Sequence, residues 1–138
     1  MAETLVHIAV VPRLQHQVHA VERRSTLEGF DFPAFFERLR AEERQPRSKA
    51  KILDLLREEG DLWTNWVQGL SHDFLAEQVD TPMAQPTHRN RFEMILSIKE
   101  HEMHHRGQLM LMERMLGIVP HLTRQFQERM AQAQKAGA

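Results

Sequence analysis

The chain has 138 residues, a net charge of −1 and no cysteine. That length suits a single domain with a modest core, the charge leaves no basic footprint for nucleic acid, and the lack of cysteine excludes disulfides, thiolate zinc sites and cysteine nucleophiles. No apolar run approaches the ~20 residues that span a membrane and the N-terminus shows no signal-peptide pattern, so the expectation is a soluble cytoplasmic protein with no membrane or nucleic-acid partner.

A composition rich in Leu, Glu, Arg, Gln and Met, with Val and Ile sparse and Tyr absent, favours helix over sheet. Residues 3–24 form the first helical candidate. Leu5, Ile8, Ala9, Leu14, Val18 and Val21 supply its apolar face, and Pro12 should kink or divide it. His7 lies beside that face, while His16 and His19 come at angles that do not share a site with His7. Asp31 and Pro33 open a short helix that carries Phe35, Phe36 and Leu39 inward. It ends in the mixed-sign run Arg40 to Arg47, which reads as a solvated face and connector.

Ser48 caps the next helix, roughly 49–70, where Ile52, Leu55, Leu56, Leu62, Trp63, Trp66, Val67 and Leu70 recur at helical spacing. It reads as the bulkiest contributor to the core, with the two tryptophans as packing residues that can also line a pocket mouth. Gly60 costs about 1 kcal/mol in a helix interior and suggests a close approach to a neighbouring helix. Ser71 to Thr87 is the longest irregular stretch, of a kind that often borders functional sites. No segment shows strand periodicity.

Thr87 or Asn90 can cap a long helix from Phe92 to Leu116, which Gly117 and Pro120 bring to an end. A last, weakly amphipathic helix over 121–135 presents Leu122, Phe126 and Met130, with a frayed tail beyond. In the long helix Met94, Ile98, His101, His105, Leu109 and Met112 form one stripe at spacings of three and four. His101 and His105 are thus one turn apart, about 6 Å along the axis, close enough for two imidazoles to converge on one ion. On spacing alone the pair is either a hydrogen-bonded core feature or two metal ligands. A third histidine, such as His7 on another helix, would complete a site with open positions, the pattern of catalytic rather than structural metal.

The same residues spell His-Glu-x-x-His, the helix signature of zinc peptidases, in which Glu102 would be the general base. The extended form of that signature fails, because Gln108 and Leu111 stand where a Gly and a third His belong. Neither Glu113 nor Glu128 is well placed as a downstream ligand, so the peptidase is a remote alternative.

The block His101-Glu102-Met103-His104-His105-Arg106-Gly107-Gln108-Leu109, followed by Leu116-Gly117-Ile118 and Pro120, resembles the C-terminal signature of the DinB/YfiT-like metalloenzyme family. Its members are four-helix bundles with a His-x3-His pair, followed by Arg-Gly-Gln, on the last bundle helix. Their third ligand is a His in a Leu-x-His-Ile context, matched here by Leu5-Val6-His7-Ile8. Phe30 to Pro33 and the turn from Leu70 to Val79 are also similar, so the resemblance covers nearly the whole chain.

The resemblance implies an all-α, antiparallel four-helix bundle with a short C-terminal helix. It also implies a divalent metal held by His7, His101 and His105: zinc or nickel, with iron or manganese as alternatives. The implied chemistry is attack of a metal-activated water or low-molecular-weight thiol on a small electrophile, as in a thiol S-transferase or a hydrolase. Glu102 and His104 are the candidate catalytic groups beside the ligands, against the plainer reading that they are surface residues. Arg106 and Gln108 read as helix contacts and hydrogen-bond partners of the ligands. The alternatives are a metal-binding but catalytically silent, stress-associated dimer and a helical interaction module with incidental histidines. Relatives carry a long helix ahead of the one bearing the first His, and this chain begins without it. Either the bundle is incomplete or the 121–135 helix, the 33–45 helix or a second subunit fills that place, and a homodimer is the expectation that covers the face left open.

Overall fold

A computed structural model of the chain describes residues 1–82 and 84–136; the side chain of Ala136 is not among what it describes. The fold is all-α, and it comprises two compact units, Met1–Glu102 and Met103–Ala138, whose division falls inside one long helix. Among the described residues no helix is long and apolar enough to cross a membrane.

In the first unit α1 (Ala2–Val10) stops where expected. Pro12 has no N–H to give to Ile8, so the ladder breaks and α2 (Arg13–His16) starts afresh. The chain then widens into a π-helical turn, Gln17–Val21, with Glu22 N–H donating to the Gln17 carbonyl at 2.9 Å. The helix α3 (Phe32–Glu43) opens with Asp31 accepting from the Ala34 N–H at 2.9 Å, and α4 (Lys49–Gln68) with Ser48 accepting from Lys51 at 3.3 Å. Each such cap is worth about 1 kcal/mol. The core gathers Val6, Ala9 and Val10 of α1, Phe35 and Leu39 of α3 and Ile52 of α4.

Three sequence expectations change here. The helix α4 is not the bulkiest core contributor: Ile52 is its one buried residue among those described and Leu62 is 64% exposed. Leu55 and Leu56 pack against the core while only partly buried, and Leu56, Leu62, Trp63, Trp66 and Val67 line cavities. Gly60 allows no close approach, since a Cβ added there would meet nothing within 4 Å. The stretch from Ser71 to Thr87 is also more ordered than its composition suggests. It holds α5 (His72–Ala76), and β1 (Gln78–Asp80) pairs antiparallel with β2 (His88–Asn90) in the register Gln78↔Asn90, Val79↔Arg89, Asp80↔His88. Strands of three residues are too short to show a period of two.

The helix α6 (Arg91–Met115) opens with a reciprocal capping box: Asn90 N–H donates to the Glu93 carboxylate at 3.0 Å and Glu93 N–H to the Asn90 side chain at 2.8 Å. Beneath that cap lies a buried polar pair which the sequence did not announce. His19 is wholly buried and Arg91 nearly so. His19 donates from Nε2 to the Gln15 side-chain oxygen at 2.8 Å and accepts at Nδ1 from Arg91 at 2.9 Å. Arg91 also donates to Glu77 at 2.8 Å and lies over the Phe74 ring at 4.8 Å.

In the second unit α6 ends at Gly117, whose φ of +74° needs glycine, while Ile118 N–H returns to the Glu113 carbonyl at 2.9 Å. The last helix α7 (His121–Ala136) follows, with Phe126 and Met130 exposed. The frayed tail expected beyond residue 135 begins one residue later at the earliest, since α7 includes Ala136, and residues 137 and 138 lie outside the described ones.

Candidate metal centre

Two of the three candidate histidines lie within the first unit. His7 sits in the last turn of α1 and His101 in α6, and their Nε2 atoms meet at 2.8 Å. Two imidazole lone pairs facing each other at that distance repel, so the contact needs a proton or a cation between them. The other nitrogen of His7 is already committed. Its Nδ1 lies 2.7 Å from Glu43 Oε1, and because a carboxylate only accepts, Nδ1 carries the proton and Nε2 the lone pair.

Glu43 belongs to the run read from sequence as a solvated connector, and that reading is corrected in part. Glu43 is half-buried, and its neighbour Glu42 accepts from Arg13 at 2.6 Å and from the Arg47 side chain at 3.4 Å. The sequence did carry the signal. Phe35, Leu39 and Glu43 are spaced by four, so Glu43 continues the inward line of α3 after its two buried apolar residues.

His105 lies one turn beyond His101 on the same unbroken helix, so the spacing between the two is set by that helix. Its Nδ1 donates to the Gln108 side-chain oxygen at 2.8 Å, which leaves its lone pair on Nε2. His7, His101 and His105 are all half-buried. A histidine that binds metal through one nitrogen almost always gives its other N–H to a carboxylate, carbonyl or water. Glu43 and Gln108 do this for two of the three, and the donor set fits a divalent transition metal.

The remaining candidates are placed less centrally. Glu102 is half-buried next to His101 and accepts from Lys99 at 3.4 Å. His104 is exposed, and the Gln108 side-chain N–H donates to its Nε2 at 3.0 Å. Arg106 donates to His121 at 3.3 Å, within the second unit. His19 is committed to its buried pair, and His16 stands edge-on to Trp66 with ring centroids 5.3 Å apart.

A cavity of about 490 Å³ opens beside His101 within the first unit. Its walls include Ile8 of α1, Trp63 of α4, Leu75 of α5, and Leu96, Ile98 and Glu102 of α6.

Replacing Glu43 with Gln tests the support of His7 without emptying its space. The amide can still accept from Nδ1, but the charge that favours this tautomer and raises ligand basicity is gone. Metal affinity should weaken by about 10–100-fold with little loss of stability, the usual cost of losing such a partner. Competition titration against a chelator reads the change; an affinity equal to wild type would show that Glu43 does not support the ligand.

The model of the DinB superfamily matches residues 1–109. No curated protein and no solved structure matches the chain.

Proposed function

The chain belongs to the DinB superfamily, and from that premise we propose that it is a metal-dependent enzyme in which His7, His101 and His105 hold a divalent transition metal. The observation that carries the proposal is the meeting of the His7 and His101 Nε2 atoms at 2.8 Å, with Glu43 and Gln108 accepting hydrogen bonds from Nδ1 of His7 and His105. Three neutral imidazoles suit several ions; zinc or nickel is the first choice and iron or manganese the second. When bound, such an ion supplies a Lewis acid that makes a water or a low-molecular-weight thiol nucleophilic at neutral pH.

The protein's own residues do the rest. Glu43 and Gln108 fix the tautomers and hold the rings. Glu102, on the cavity wall, is positioned to accept or return a proton as a small electrophile is attacked, and Lys99 donates to its carboxylate at 3.4 Å. His104, tethered through Gln108, is the proposed proton exit to solvent. The reaction class is thiol S-transfer or hydrolysis of a small molecule.

The second reading, a metal-binding homodimer without turnover, is favoured by one observation: Leu122, Phe126 and Met130 form an exposed apolar line along α7. The two readings separate in one assay. Tag-free protein loaded with zinc or nickel is challenged with glutathione, bacillithiol or mycothiol plus chlorodinitrobenzene, and separately with nitrophenyl esters. A rate that disappears on chelation and returns with metal is the expected result. No metal-dependent rate on any of these pairs would replace the enzyme with the silent dimer.

A further inference from the structure

We propose that the cavity beside His101 binds the apolar body of the substrate, an alkyl chain or aryl ring, with its reactive end toward Lys99, His101 and Glu102. The orientation rests on the reading of His101 as part of the reactive centre; the binding of an apolar body does not.

The wall changes character along α6. Phe92, Leu96 and Ile98 give way to Lys99, His101 and Glu102 over ten residues, about 15 Å of helix. An apolar stretch that passes into a few convergent polar groups is the usual make-up of a small-molecule site, and about 490 Å³ lies within the ~300–1,000 Å³ of such sites. The charged groups on the wall already have partners: Glu59 accepts a hydrogen bond from Arg13, and Lys99 pairs with Glu102. A charged ligand body would therefore gain no unpaired partner to offset its lost hydration, whereas an apolar body loses nothing by leaving water. A docked helix fits less well, because the apolar part of α6 from Phe92 to Ile98 spans about 9 Å, short of the i to i+7 anchors of helix-in-groove binding.

Gly60 shapes the space. It lies in the interior of α4, where glycine weakens a helix, and a Cβ there would touch nothing within 4 Å. Neither backbone conformation nor close packing asks for it. Its effect is to set the wall back opposite α6 and leave room beside Trp63.

The experiment uses the full, metal-free chain and the probes 1-butanol, 1-hexanol and 1-octanol, followed by tryptophan emission and by the ring-proton shifts of His101. Saturable one-to-one binding is expected, tightening about fourfold per added methylene until the cavity is full, with the His101 shifts saturating in parallel. Gly60→Leu should weaken octanol binding at least tenfold while circular dichroism and metal uptake stay unchanged. Phe92→Lys, at an exposed rim position, should weaken it as well and serves if Gly60→Leu misfolds.

The proposal is overturned by any of four results. These are non-saturable binding, equal affinity along the series, octanol binding retained in both variants, or probe displacement as the protein self-associates, which would make the cavity an interface between copies. Alcohol binding that leaves the His101 protons unmoved overturns the orientation. Metal uptake with no alcohol binding removes this inference and leaves the metal reading standing; the converse removes the metal and keeps the cavity.

Discussion

Replacing His101 with Ala is expected to abolish stoichiometric binding of divalent transition metal. His101 is the member of the trio that touches His7 directly and shares a helix with His105, so its loss separates the other two. Binding free energies of roughly 10–16 kcal/mol for structural zinc, shared over the ligands, put one imidazole at about 3–4 kcal/mol, a loss of some hundredfold to thousandfold in affinity. The fold should survive, because His101 is half-buried and lies outside the main apolar cluster. Elemental analysis of tag-free protein together with chelator competition reads the result. If the variant holds one equivalent as tightly as wild type, the ligands have been misassigned, and a variant that unfolds is recognised by its circular dichroism.

Acid should destabilise the metal-free protein through His19. Burial, and secondly the neighbouring Arg91 charge, push its pKa down from 6.5 to about 4. Its hydrogen bonds show why the neutral form is required: Nε2 gives its proton to Gln15, and Nδ1 has to accept from Arg91. A second proton on Nδ1 would confront the guanidinium. In the unfolded chain the same group protonates near its ordinary value, so as pH falls below 6.5 the unfolded state takes up a proton that the native state refuses. The contribution is fully present above pH 6.5 and is lost progressively toward pH 4, about 3 kcal/mol in all. Urea unfolding at pH 7 and pH 4.5, in the presence of chelator, compares wild type with His19→Gln. The variant should start less stable and lose distinctly less on acidification; equal losses would show that His19 does not govern the acid response.

What could be read from the chain and what could not divide along a physical line. Features fixed within a few residues were legible: the break at Pro12, the caps at Asp31, Ser48 and Asn90, and the stop at Gly117 all depend on local backbone chemistry. His101 and His105 were legible for the same reason, since one helix sets their spacing. His7 was reached through its match to a known context, because no periodicity says which helix will face which. Glu43 was hidden by its neighbours: a charged run reads as solvated, although the line from Phe35 through Leu39 points to it. His19 and Arg91 stand 72 positions apart, and nothing local marks either as buried. Trp63 and Val67 of α4 border a cavity yet were read as core residues, because sequence distinguishes apolar from polar faces but not a filled interior from an open one.

The widened turn at Gln17–Val21 has a consequence for how this chain tolerates insertion and deletion. A π turn holds one residue more than an α-helix uses for the same advance, so the segment contains slack that a single deletion could remove without breaking the helix. With that residue removed the chain beyond keeps its phase, but the turn loses one of its places. Val18 and His19 both lie in this turn and both are buried, His19 against Arg91. Narrowing the turn would cost one of the two its inward position, so the length of this short segment is constrained as tightly as its composition.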